Sequence, residues 1–232
     1  MKNTLAFAFA VLSVLCGGPA HAQLAIPGPD LRAVWNPVVG GGSAYEVENR
    51  SKGRNDLTIT VVGQEPVDDK VGYWLETAVT EPGSGKVILV KHLIVRDGEQ
   101  TDVKRMIAQS AGSPPMEMPP SMAHPGGRRT PASPEARRGG ERVGTEDITT
   151  PAGTFTTEHY RSKDGLQDVW VSDKIVPWGL VKMTARGTSI TLVRVITGAT
   201  TQIAGTPEPF DPSRVKRTPA PPAPVEQPKE PR

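Results

Sequence analysis

Outside the first 22 residues the chain has three histidines, His92, His124 and His159. Their separations are far from the three- or four-residue spacing that sets two imidazoles on one metal ion. The sequence has no Gly-x-Ser-x-Gly elbow to present a nucleophilic serine on a strand-to-helix turn. The acidic pairs Asp68-Asp69 and Glu146-Asp147 fall at turn-like or strand-edge positions, which favour solvated carboxylates over a general acid facing a general base. Gly40-Gly41-Gly42 leads into a strand rather than a helix, so no helix N-terminus stands behind it to hold a phosphate. The reading is of a non-enzymatic protein with no catalytic residue, metal ligand or cofactor to assign.

The large apolar side chains carry more information. Tyr73, Trp74, Phe155, Tyr160, Trp170 and Trp178 fall in or beside expected strands, where rings dominate the buried area of a small core. Core packing is one reading. The other is that some of them line an apolar hollow in the mouth of a curled sheet, with Trp74, Trp170, Trp178 and Met183 as the ligand-binding candidates. Met106, Met116, Met118 and Met122 cluster further along the chain. Methionine adapts its shape cheaply, which suits a lid over an apolar groove.

These residues need elements to position them. Tyr45–Arg50, Leu57–Val62, Val71–Thr80 and Val87–Val95 are rich in β-branched and aromatic residues and are separated by glycine-bearing turns. Leu57, Ile59 and Val61 alternate with Thr58 and Thr60, as a strand with one wet face does. The run Val87-Ile88-Leu89-Val90 predicts burial on both faces. Asp102 is placed to cap a short helix with Val103, Met106 and Ile107 on one side, though the same residues suit a strand. Arg142–Thr149, Thr154–Ser162, Gln167–Ser172, Leu180–Arg186 and Ser189–Thr197 repeat the strand pattern, with tight turns at Lys163-Asp164-Gly165 and Arg186-Gly187-Thr188. The expected fold is mainly β: an antiparallel meander curled into an incomplete barrel, with at most one or two short helices.

Two stretches differ in composition. Ser113 to Gly140 repeats proline and glycine and carries Arg128-Arg129 and Arg137-Arg138, a composition too poor in apolar surface to offset its ordering entropy. Thr206 to Arg232 is proline-rich and expected to be extended and solvated. The expected organisation is one domain over 23–205, interrupted by a disordered insertion at 113–140 and followed by a disordered tail over 206–232.

At the other end, Lys2 precedes an apolar run from Leu5 to Leu15, a Gly-Gly-Pro break and then Ala20-His21-Ala22. This charged, apolar, small-residue order is that of a secretory signal peptide cleaved after Ala22, and the run is too short to span a bilayer. The single cysteine, Cys16, lies inside that segment, so the mature chain is expected to have none. No later stretch is apolar enough to cross a membrane as a helix, and a periplasmic or secreted location follows. The net charge of +2, from 27 basic and 25 acidic residues, offers no concentrated basic face for nucleic acid.

Thr150-Pro151-Ala152-Gly153-Thr154-Phe155, His159-Tyr160, Asp168-Val169-Trp170-Val171-Ser172 and Pro177-Trp178-Gly179-Leu180-Val181-Lys182-Met183 share a cadence. Over Gly144 to Gly198 the chain resembles a broad group of exported bacterial β-proteins similar to the lipoprotein-localisation carriers of the Lol type. The resemblance implies a half-barrel that binds acyl chains or lipidated protein without covalent chemistry. It departs from those carriers in lacking their substantial lid helices, and no functional residue of theirs is carried over. The leading expectation is a binder of a lipid or lipidated protein. The alternative is an envelope interaction module, using the basic insertion and the proline-rich tail to contact another envelope component.

Overall fold

The computed structural model describes residues 35–51, 53–80, 83–97, 100–120 and 140–211. The export segment, Cys16, Met122, His124, both arginine pairs and the tail beyond Asp211 lie outside the described residues. The described chain forms β1 (Gly42–Asn49), β2 (Gly53–Val67), β3 (Lys70–Thr80), β4 (Val87–Asp97), β5 (Gln100–Ser110), β6 (Met116–Met118), β7 (Gly140–Thr150), β8 (Gly153–Ser162), β9 (Gln167–Val171), β10 (Leu180–Ala185), β11 (Thr188–Ile196) and β12 (Glu208–Pro209). There is no α-helix among the described residues.

All twelve strands belong to one sheet, in the order β12-β6-β5-β4-β3-β2-β1-β11-β10-β9-β8-β7. Its two ends do not pair, so the sheet is curled but not closed into a barrel. Every pairing is antiparallel except that of β12 with β6. The topology is two meanders joined where β1 meets β11, with Gly42 opposite Ile196 and Asn49 opposite Thr188.

The turns follow from their residues. A two-residue connection between Ala185 and Thr188 has Gly187 at φ +73°, in the left-handed region that glycine adopts without strain. At the β8–β9 turn the Asp164 carboxylate accepts from the Ser162 hydroxyl (2.6 Å) and the Leu166 amide (3.0 Å), which fixes the reversal locally. The curl is assisted by register shifts at Ala44/Tyr45, Val61/Gly63, Leu93/Ile94, Arg142/Gly144 and Leu180/Lys182, because a bulge bends its strand and raises local twist.

The concave face holds the main core. Val61, Val169, Ile175, Val181 and Leu192 are fully buried there with Tyr45, Leu57, Ile59 and Leu75, and Ile148 and Phe155 of the β7–β8 hairpin pack against the same cluster. The Tyr45 hydroxyl donates to the Leu180 carbonyl (3.1 Å). Burial pushes its phenol well above the ordinary tyrosine range, outweighing the opposing Ser43 hydrogen bond, so it stays a donor. A second, smaller cluster of Trp74, Leu93 and Ile107 lies on the outer face.

One open choice is resolved and two expectations are corrected. The segment Asp102–Ile107, which suited either a capped helix or a strand, is part of β5, because both faces of that strand are covered: Met106 pairs with His92 and Met118 on the concave side, while Ile107 joins the outer cluster. The stretch expected to be disordered from Ser113 begins with an ordered strand, β6, whose Glu117 takes a bidentate hydrogen bond from Arg105 (2.7 and 3.3 Å). The stretch beyond Thr206, expected to be solvated tail, contributes β12 and stays structured to Asp211.

Leu192 is wholly buried where the two meanders join. Leu192→Ala should therefore lower unfolding free energy by about 3 kcal/mol in urea titrations without changing the slope.

Candidate functional site

Trp35, just before β1, Tyr73 of β3 and Trp178 of the β9–β10 loop converge at the fringe of the main core. The Trp35 and Trp178 rings lie 4.3 Å apart between centroids at 42°, and Trp35 meets Tyr73 edge-on at 6.2 Å and 82°. All three are half-buried, so each ring keeps one part against the core and another toward solvent. Partly buried Val103, Val176, Phe155 and Tyr160 surround the same core.

The loop that presents Trp178 is held from within. The Ser172 amide donates to the Gly179 carbonyl (2.7 Å) and the Gly179 amide to the Ile175 carbonyl (2.7 Å), closing a compact turn around fully buried Ile175 and Pro177. Gly179 sits at φ +70°, where a side chain would strain the backbone. The Ser43 hydroxyl donates to the Val176 carbonyl, and the Asn36 backbone amide donates to the Pro177 carbonyl (3.0 Å), which ties β1 and the segment before it that carries Trp35 to this loop. A local Pro-Trp-Gly turn and an N-terminal segment are thus fastened into one aromatic unit.

The four candidates named from sequence are divided between the faces. Trp178 belongs to the aromatic unit, and Met183 is buried in the core on the same side, where its sulfur takes a hydrogen bond from Gln167 Nε2 (3.1 Å). Trp74 and Trp170 lie on the outer face, so the four do not share one hollow. Trp74 donates from Nε1 to Glu65 (2.9 Å) and lies under Lys91 and Arg105 at 4.9 and 5.2 Å from its ring centroid. Trp35 and the importance of Tyr73 were not legible: Trp35 precedes the first expected strand, and Tyr73 and Trp74 are sequence neighbours that point to opposite faces.

Trp170 stacks on His159 at 4.5 Å and 16°, with Lys182 5.4 Å from its other side. His159 is itself buried and bridges two carboxylates, Nε2 to Asp168 (2.7 Å) and Nδ1 to Glu146 (2.9 Å). Glu146 also accepts from Trp170 Nε1 (2.8 Å) while its side chain stays half exposed, so the carboxylate is solvated, as expected from sequence, and is a structural acceptor as well. Through its two ring nitrogens His159 links both carboxylates, and the cluster clamps β7, β8 and β9 together. Asp168 is pulled two ways: burial raises its carboxyl, but hydrogen bonds from His159 and Arg161, with the Arg161 charge, hold it below the ordinary carboxylate value. Among the described residues no group of three or more His, Cys, Asp or Glu is arranged to hold a metal ion.

No family model matches the chain, and no curated protein matches it. Among solved structures it is similar to a candidate lipoprotein from Parabacteroides distasonis, with a TM-score of 0.34 and 13% identity over 70% of this chain and 97% of that one. It is also similar to a candidate exported protein with a YmcC-like fold from Bacteroides fragilis, with a TM-score of 0.34 and 13% identity over 69% and 97% of the two chains. A DUF1329 family protein from Desulfovibrio piger gives a TM-score of 0.29 and 14% identity over 83% and 93%.

The Asp168 arrangement sets a pH dependence with a definite sign. A carboxyl whose folded pKa is lowered adds stability above its unfolded value, near 3.9, and loses it as pH falls through the folded value. Asp168→Asn should be destabilising by a constant amount above about pH 5, and the difference from wild type should shrink toward pH 2.5 in urea titrations.

Proposed function

We propose that the protein is an exported, non-enzymatic binder of an apolar ligand, of the class of acyl chains or a lipidated protein, and that Trp35, Tyr73 and Trp178 form the contact site. The observation that carries this reading is the convergence of three half-buried rings, from three separate parts of the chain, on the concave side of one curled sheet. Packed rings exposed at a core fringe leave apolar surface in water, which an acyl chain would cover at about 0.8 kcal/mol per methylene. Rings also supply large contact area with few rotatable bonds, so little ordering cost opposes binding. Specificity would rest on shape rather than charge, because the unit consists of indole and phenol groups on an apolar fringe. The N-terminal charged, apolar and small-residue order supports the exported location.

Binding of a fluorescent sixteen-carbon fatty acid tests the reading. Wild type should bind one equivalent saturably, and Trp35→Ala and Trp178→Ala should each weaken binding by about tenfold, some 1.4 kcal/mol. Trp170→Phe, on the outer face, should leave it unchanged. Absence of saturable binding, or equal loss in all three variants, would overturn the site.

A further inference from the structure

After β11 the chain does not leave the sheet. Residues 197–211 run as a strap across the outer face, from the β1–β11 junction to the β6 edge. The strap starts at Gly198, with φ +69°, and the Ala199 amide donates to the Gly40 carbonyl (2.8 Å). The Thr201 hydroxyl and the Gln202 amide (2.8 Å) donate to the Glu76 carboxylate. Ile203 then packs on Trp74, Leu93 and Ile107. The Gln109 side-chain amide takes the place of a neighbouring strand, accepting from the Ala204 amide (3.0 Å) and donating to the Ala204 carbonyl (3.1 Å). Finally the Glu208 and Phe210 amides donate to the carbonyls of Pro115 (2.9 Å) and Glu117 (3.0 Å), adding β12 in parallel to β6.

Glu76 shows what this contact is for. It is 1% exposed on the outer side of a single sheet, although a carboxylate is buried so deeply only when partners compensate its lost hydration. Both hydrogen bonds on its carboxylate oxygens come from the strap. The strap is different: Thr200, Thr201, Gln202, Ala204, Gly205 and Thr206 are exposed, and Ile203 is its one side chain in the outer cluster. A segment that buries little of itself and is held mainly by hydrogen bonds opens at low cost compared with the core strands. The surface beneath reads a defined pattern: a hydroxyl and an amide at Glu76, an aliphatic residue next, a backbone pair at Gln109, then a strand along β6.

We infer that this outer face of β3 to β6 is a recognition surface for an extended chain, filled in cis by residues 199–211, and that the same segment from a second copy of the protein takes the place by strand exchange. The occupant is identified by fit, because the segment seated there carries every group the surface reads. Exchange of an identical element between protomers is a low-cost route to association. The tethered strap competes at an effective concentration in the millimolar range, so the cis form dominates until it is weakened.

Full-length Ile203→Asp disables the strap while leaving the surface intact, and full-length Glu76→Gln does the reverse. Each is first checked for a cooperative thermal transition, with Thr201→Ala replacing Ile203→Asp if that variant does not fold. A labelled peptide of sequence Gly198 to Asp211 should bind Ile203→Asp at least tenfold more tightly than wild type, and the double variant with Glu76→Gln should lose that gain. An equimolar mixture of the two single variants should show a 1:1 complex by light scattering that neither forms alone. Peptide binding no stronger to the unlatched variant than to wild type would overturn the recognition surface. Peptide binding without the mixed complex would overturn the second copy as its occupant.

Discussion

The pairing of β1 with β11 is the contact on which the molecule depends. Each meander is built from hairpins between sequence neighbours, whose closure costs little chain entropy, whereas β1 and β11 meet across most of the described chain. That cost is offset by contacts concentrated at the junction. The Tyr45 hydroxyl reaches the Leu180 carbonyl across 135 residues, and Asn49 Nδ2 donates to the Thr188 hydroxyl (2.9 Å). The Arg50 amide closes onto the Gly187 carbonyl (2.8 Å), and Leu192 and Tyr45 are buried beside each other's strands. Gly42 is needed at the same junction, since a Cβ there would stand 2.4 Å from the Ile59 carbonyl oxygen.

Joining the meanders in this way gives the sheet two faces with different work. The concave face collects the apolar side chains of β1 to β4 and β9 to β11 into one core, and its fringe leaves Trp35, Tyr73 and Trp178 between core and water. Among the described residues the outer face has no second layer of secondary structure and is covered by local devices. The His159 clamp secures the β7–β9 end, while Trp74 with its two cations and the strap secure the β3–β6 end. Glu76 and His159, both buried on this face, are each held by hydrogen bonds, as a low local dielectric requires.

The strands were largely legible because β-branched and aromatic runs between glycine turns constrain few alternatives. What alternation could not supply was side. The register shift between Val61 and Gly63 sets Gly63 opposite Trp74 and Gln64 opposite Tyr73, so the alternation of β2 does not carry across to the first half of β3. Spacing also left β5 open between helix and strand, because Val103, Met106 and Ile107 recur as a helix face would. A strand covered on both sides, with a shift between Leu93 and Ile94 opposite it, produces the same spacing. His159 and Glu146 gave no sequence signal of partnership, since their meeting depends on the β7–β8–β9 pairing and on Trp170 stacking above them. The order in 206–211 was hidden for a similar reason: its proline-rich composition has no core of its own and is held by the backbone of β6 and by Gln109 upstream.

The account's central claim is that the concave aromatic unit holds an apolar ligand. Native mass spectrometry of protein purified without detergent, followed by lipid extraction, tests it most directly. The account predicts a stoichiometric acyl-chain compound or acylated protein travelling with the wild-type chain and lost from the Trp35→Ala/Trp178→Ala double variant. A clean unliganded mass for the wild type, with no uptake of added lipid, would contradict it.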